Sequence, residues 1–216
     1  NSLQLATVSA VVAVVLAVVV GYGVRLRPRP ITRIAARLAS VGYAVPGSVI
    51  AVGVLIPLGW MDQQINHVAG ERFGFTPGLI LTGTMVALVY AYVVRFLAVS
   101  FNSVEASLGR VTPNMDAASR TLGQTAARTL ARVHLPVMRS SLLAAGLLVF
   151  VDVMKELPAT IILRPFDFDT LAVRSFELAS DERLAQASTS SLAIVAVGII
   201  PVILLSRAMR SARPGA

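Results

Sequence analysis

Asp152, Lys155 and Glu156 fall within a single helical turn, in a stretch from Ser140 to Ile162 that carries no other charge. On a helix the i,i+3 and i,i+4 offsets let Lys155 and Glu156 both reach Asp152. In a bilayer-crossing segment each charge costs about 2.5 to 3.5 kcal/mol on insertion scales, so the three should face protein or water. Two roles fit that placement. One is an internally paired triad that pins a kink at Pro158; the other is a gate or pathway formed by Asp152, Lys155, Glu156 and Pro158. Catalytic chemistry has no comparable support. The sequence holds no GxxxxGK(S/T) phosphate loop, no nucleophile elbow and no paired His and acid at ligand spacing. Cysteine is absent too, which removes disulfides, thiol nucleophiles and thiolate metal sites together. No catalytic residue, bound cofactor or metal ligand is therefore assigned.

The elements that must hold these charges are read from composition. Of 216 residues, 56% are hydrophobic and 14% charged, with a mean hydropathy of +0.76, far more apolar than a soluble domain. Nearly charge-free runs of bilayer length predict five spans, at 5–24, 41–60, 79–99, 140–162 and 187–206. The expected fold is all-α, a polytopic transmembrane helical bundle forming one domain over 1–216. Pro46 and Pro57 in the second span and Pro158 in the fourth are tolerable where neighbouring helices re-satisfy the freed carbonyls. Gly42, Gly47 and Gly53 suit helices that pack by close backbone approach.

Charge placement then orients the bundle. The chain has 19 Lys and Arg against 11 Asp and Glu, a net charge of +8. Arg25, Arg27, Arg29, Arg33 and Arg37 follow the first span, and Arg110, Arg120, Arg128, Arg132 and Arg139 lie between the third and fourth. Arg207, Arg210 and Arg213 close the chain, whereas the loops from Met61 to Pro77 and from Arg164 to Leu184 are balanced or acidic. The positive-inside rule puts the arginine-rich loops in the cytoplasm, with the N-terminus outside and the C-terminus inside. Aromatic residues are not interleaved with the basic clusters, which argues against nucleic acid and for a membrane lipid surface. His67 and His134 fall on opposite sides and cannot share a metal. Arg95, deep in the third span, is expected to snorkel to the inner headgroups. Residue 1 is Asn and no basic n-region precedes Leu5, so the chain is expected to be a piece of a longer protein with an earlier transmembrane helix.

The cytoplasmic connection 100–139 is too long for an idle link. Thr112 followed by Pro113 predicts a helix start, after which Ala118, Leu122, Ala126 and Leu130 share one face and Arg120, Gln124, Arg128 and Arg132 another. Pro136 is expected to stop the pattern. An amphipathic helix on the inner leaflet fits these faces. Gly123, costing about 1 kcal/mol inside a helix, and the small surface of Ala117, Ala118 and Ser119 fit instead a helix-turn-helix that a partner's groove approaches closely.

From Asp116 to Pro136 the chain reads DAASRTLGQTAARTLARVHLP, which resembles the EAA motif of bacterial ABC importer permeases. Gly123 and, nine residues further on, Val133-His134-Leu135-Pro136 match the second half of the motif. In the first half Asp116 stands one place early, leaving Ala117 where the acid belongs. The resemblance implies a coupling helix that sits in a cleft of a separate ABC ATPase subunit, with Asp116, Ala117, Ala118, Gly123, Val133, Leu135 and Pro136 in its contact. The segments GYAVPGSVIAVGV (42–54) and KELPATIILRPFDFDTLAVRSFELASDERLAQAS (155–188) are similar to iron(III) transport permeases, in the order found in the C-terminal half of a fused pair. That implies the binding-protein-dependent ABC importer permease fold in the bacterial inner membrane. It also implies a second permease half, an extracytoplasmic substrate-binding protein, and ATP and Mg used only by the partner ATPase. Asp167, Asp169 and Glu177, near an outer helix expected from about Thr170, are the candidates for docking the binding protein. Thiamine, phosphonate or sulfate are alternative cargoes within the same class. A secondary transporter is the alternative outside it, although it gives no reason for a Gly-centred cytoplasmic helix.

Overall fold

The computed structural model describes residues 1–211; Arg213 lies outside them, as do the side chains of Arg207 and Arg210. The described residues form ten α-helices: α1 (Ser2–Leu26), α2 (Pro30–Val41), α3 (Gly47–Phe73), α4 (Met85–Leu108), α5 (Pro113–Thr121), α6 (Ala126–Thr129), α7 (Leu135–Met154), α8 (Pro158–Leu163), α9 (Leu171–Ser180) and α10 (Leu184–Ser211). Five helical stretches are long and apolar enough to cross a membrane: α1, α3, α4, the run Ala126–Met154, and Leu184–Ile203 of α10. The chain is a multi-pass helical membrane protein.

Three helices make the centre, α1 against α4 and α7. Leu5, Ala6, Ala10, Ala13 and Ala17 line one side of α1 and are buried, as are Ala87, Leu88, Ala91 and Ala98 on α4 and Ala145 on α7. In lipid, apolar exclusion does not drive helices together; small side chains allow the close approach that dispersion and weak polar contacts need. The core divides in two along the bundle. One part gathers Leu5, Ile50, Leu88, Tyr92, Phe96, Val149, Met154 and Leu163, and the other Val18, Tyr22, Phe101, Val104, Leu108 and Met138 at the arginine-rich end.

The expected spans need correction at their ends. The second begins at Gly47 and runs on to Phe73, because Gly42–Ala44 is a 3-10 turn and Pro46 caps the helix that follows. The third starts at Met85, not Leu79: Gly83 at φ +67° and the extended Thr84 precede it, and the helix continues to Leu108. Consequently the connection 100–139 holds fewer loop residues than its charge pattern suggests. The fourth span begins at Ala126 and ends at Met154, with Lys155–Leu157 non-helical and Pro158 opening the separate α8. Pro136 does not stop a helix. The chain passes through it by a π-turn over Leu130–His134, whose wider ring tolerates the carbonyl that proline leaves without a donor. The faces expected along 118–132 are likewise cut, since Gly123 adopts φ +72° and ends α5.

One buried carboxylate went unread in the sequence. Asp62, 0% exposed on α3, accepts bonds from the Ile80, Leu81 and Thr82 amides at 3.2, 2.9 and 2.8 Å and from the Thr82 hydroxyl at 2.6 Å. Asn66 adds a second tie, with its amide and carbonyl both bonded to Gly78. These fix the irregular 74–84 segment at the head of α4. Asp62→Ala should therefore cost about 3 kcal/mol by stranding four donors, read as a lower unfolding temperature and new proteolysis between Gly74 and Thr84.

Candidate functional site

At the arginine-rich end, α5 and α6 form a helix-turn-helix whose turn is Leu122, Gly123 and Gln124. Thr112 precedes Pro113 at the helix start as expected, without a side-chain cap bond. Ala117, Ala118 and Gly123 lie exposed, as does Pro136 at the start of α7, while Val133 and Leu135 are half-buried. Leu122 stands 77% exposed at the tip. The exposed tip thus sets Ala117, Ala118 and Gly123 around the apolar Leu122, flanked by the exposed Arg120 and Arg128.

The inner surface is polar and tied down. Asp116 turns toward the bundle, where its Oδ2 accepts from Arg25 Nε at 2.9 Å and its Oδ1 lies 2.7 Å from His134 Nε2. Arg25 also donates to the Leu108 and Val111 carbonyls at 2.7 and 2.8 Å. One guanidinium on α1 therefore holds the end of α4, the turn after it and α5. Tyr22, one turn earlier, donates to the Ala126 carbonyl at 2.8 Å, its ring edge-on to the fully buried His134. Ser119 and Thr129 join hydroxyls at 2.7 Å between the two arms. Burial alone would raise the Asp116 pKa, but the bonds from Arg25 and His134 outweigh it and hold the carboxyl below its usual range. Arg25, Tyr22 and His134 were missed as site residues. The sequence signals Arg25 only as one of five arginines that follow the first span, and nothing in its spacing points 91 residues ahead.

Halfway along the bundle the expected triad is divided. Lys155 pairs with Asp152 at 3.0 Å. Glu156 does not reach Asp152: it is buried and accepts from Arg95 Nη1 at 3.1 Å and from the Ala159 amide at 3.2 Å. Arg95 accordingly does not snorkel. The reason is the helix end at Met154, which turns consecutive residues to opposite sides, and the missing side chain of Gly47, where a Cβ would sit 1.9 Å from Arg95 Nη1. Pro158 opens α8, and Tyr92 and Thr160 hydroxyls meet at 2.5 Å one turn beyond.

At the opposite end, Arg164 is bonded to Asp169 and, at 2.7 Å, to Glu177. Asp167 takes φ +57° next to the fully exposed Phe166, and Thr170 caps α9 as expected. Among the described residues no three His, Asp or Glu side chains converge as a metal site would require.

No family model matches the chain. It is 29% identical over 79% of its length to Fe(3+)-transport system permease protein FbpB 2 of Haemophilus influenzae, covering 31% of that protein. It is 26% identical over 74% of its length to ferric transport system permease protein FbpB of Actinobacillus pleuropneumoniae, covering 24%. A Salmonella paratyphi A protein named as a 2-aminoethylphosphonate transport system permease, PhnV, is 24% identical over 76% of the chain and 56% of its own length. The chain therefore spans about a third or less of the ferric relatives. In three dimensions it matches a chain of the methionine ABC transporter MetNI, solved in inward-facing conformations, with a TM-score of 0.68, 17% identity, and coverage of 99% of this chain and 93% of that one. The chain has the fold of an ABC importer permease, and its sequence resembles that of the ferric transport permeases.

Proposed function

We propose that this chain is the permease part of an ATP-driven importer in a bacterial inner membrane, with iron(III) as cargo. It contributes to the translocation pathway and carries out no catalysis. A separate ATPase uses ATP and Mg, and an extracytoplasmic binding protein delivers the cargo. The observation that carries the reading is the helix-turn-helix at 112–136: an exposed, small-surfaced tip whose inner side is bonded to α1 and to the start of α7. A body pressing on that tip moves both membrane helices with it, as a coupling element must. The arginine-rich end then faces the cytoplasm, and the surface of Asp167, Asp169 and Glu177 faces the binding protein. A second permease half completes the pathway.

The 2-aminoethylphosphonate relatives support one other cargo. Uptake into proteoliposomes holding the full-length permease, its ATPase and its binding protein decides between them. ATP-dependent accumulation of labelled iron(III), unaffected by excess 2-aminoethylphosphonate, is expected. Accumulation of the phosphonate without iron uptake would replace the cargo and leave the class intact; uptake without ATP would make the protein a secondary transporter.

A further inference from the structure

Two breaks between consecutive helices meet at one side chain. The first is the Gly42–Pro46 break between α2 and α3; the second is the Lys155–Leu157 break between α7 and α8. Arg95 lies between them, roughly 15 Å along α4 from its start and 20 Å from its end, near the middle of a bilayer-length helix. A Cβ on Gly42 would overlap the Val94 carbonyl, and one on Gly47 would overlap both Arg95 Nη1 and Glu156 Oε1. Both breaks are thus pressed against the same turn of α4. Irregular backbone at membrane depth survives only where protein buries it or a water-filled cavity receives it, and here both breaks are packed against Arg95 and its neighbours.

We propose that Arg95 is the positioning residue of a mid-membrane latch: paired with Glu156 it holds α8 against α4 and shuts the pathway, and the pathway opens when that pair parts. This rests on the importer reading above. Glu156 Oε1 accepts from Arg95 and from the Ala159 amide in the first turn of α8. Parting the ion pair and moving the start of α8 are therefore coupled. Tyr92, one turn away on α4, holds the same short helix through Thr160. The far end of α8 leads directly to Arg164, which grips Asp169 and Glu177 on the exposed end surface. A contact there pulls on a helix of six residues whose other end is the latch. A charge pair at this depth stays closed until water or a new partner compensates both members, which makes it a two-position element.

Because the sequence contains no cysteine, a Cys replacing the fully buried Ala159 reports on the latch in a full-length background cleared of other thiols. Labelling by a membrane-impermeant methanethiosulfonate is measured in vesicles. At rest the Ala159→Cys parent should label slowly, addition of Arg95→Gln should raise the rate at least tenfold, and Arg95→Lys should stay near the parent. If Arg95→Gln fails to accumulate, Glu156→Gln serves, with the same expected increase. Variants that insert normally and label no faster than the parent would overturn the latch. So would an Arg95→Lys rate equal to that of Arg95→Gln. These resting arms need no transport. Adding ATP, ATPase and cargo-loaded binding protein to the parent should raise labelling as well; a raised resting rate in the variants with no response to ATP would keep the latch and refute the importer reading.

Discussion

Asp116→Asn is expected to lower cargo-stimulated ATP hydrolysis at least tenfold while the protein still inserts. Arg25→Gln should act in the same direction and cost more stability. Asparagine keeps the size of the side chain but removes the charge that Arg25 and His134 share, so α5 loses its anchor to α1 and moves without carrying the membrane helix. Arg25→Gln strands three acceptors at once, Asp116 and the Leu108 and Val111 carbonyls. We expect about 2 to 3 kcal/mol for Asp116→Asn and about 3 to 5 for Arg25→Gln, the range for breaking a partly to largely buried pair. Arg25→Lys should recover only part, because an ammonium cannot reproduce the planar fork. The pH dependence has a definite sign. With the folded carboxyl below its usual range, the tie is at full strength above the unfolded pKa of roughly 3.9. It is lost as pH falls through the lower folded value, so Asp116 brings no loss of coupling between pH 5 and 8. Stimulated hydrolysis and unfolding temperature, measured together, check the set.

The second large effect is steric. Gly42→Ala places a methyl carbon 2.0 Å from the Val94 carbonyl oxygen, and both sides of that contact are backbone. Nothing can rotate away, so the α2–α3 junction must lift off α4. A cost of about 3 kcal/mol or more follows, at the upper end of overpacking effects, with poor accumulation in the membrane. Gly53→Ala is the control. It lies within α3 with no heavy atom inside 4 Å of the added carbon, and should be neutral or stabilise by up to about 1 kcal/mol through helix propensity. Thermal unfolding in detergent should separate the two variants by several degrees.

The number of spans was legible because bilayer length and apolar composition are local properties. Their ends were less so, and proline shows why. Pro57 and Pro201 lie inside helices, Pro46 and Pro158 open them, and Pro136 is carried through on a π-turn. Each outcome depends on whether the carbonyl one turn earlier finds relief, and neighbouring elements decide that. The helix-turn-helix was visible in part: Gly123 in the left-handed region makes a turn where a single amphipathic helix was the competing reading. The i,i+3 spacing read the Lys155–Asp152 pair correctly, but the pairings between helices were not visible. Spacing suggested Asp152 with Glu156, yet the helix ends between them and Arg95, 61 residues away, takes the glutamate. Positive-inside counting explained Arg25 and snorkelling explained Arg95 well enough to hide that both are internal ties.

If the 112–136 turn transmits an ATPase's motion, added bulk at Gly123 should block the transmission. Space around Gly123 is open, so any L-residue there incurs only the left-handed penalty, about 1 to 2 kcal/mol. Gly123→Ala and Gly123→Arg share that strain and differ in the bulk set against a partner. Cargo-stimulated ATP hydrolysis should be measured for both in the full-length permease reconstituted with its ATPase and binding protein. Gly123→Ala should retain most of the stimulation and Gly123→Arg should lose at least nine-tenths of it, with both present in the membrane. Equal stimulation in Gly123→Arg and the parent would contradict it and make the segment an amphipathic anchor on the membrane surface.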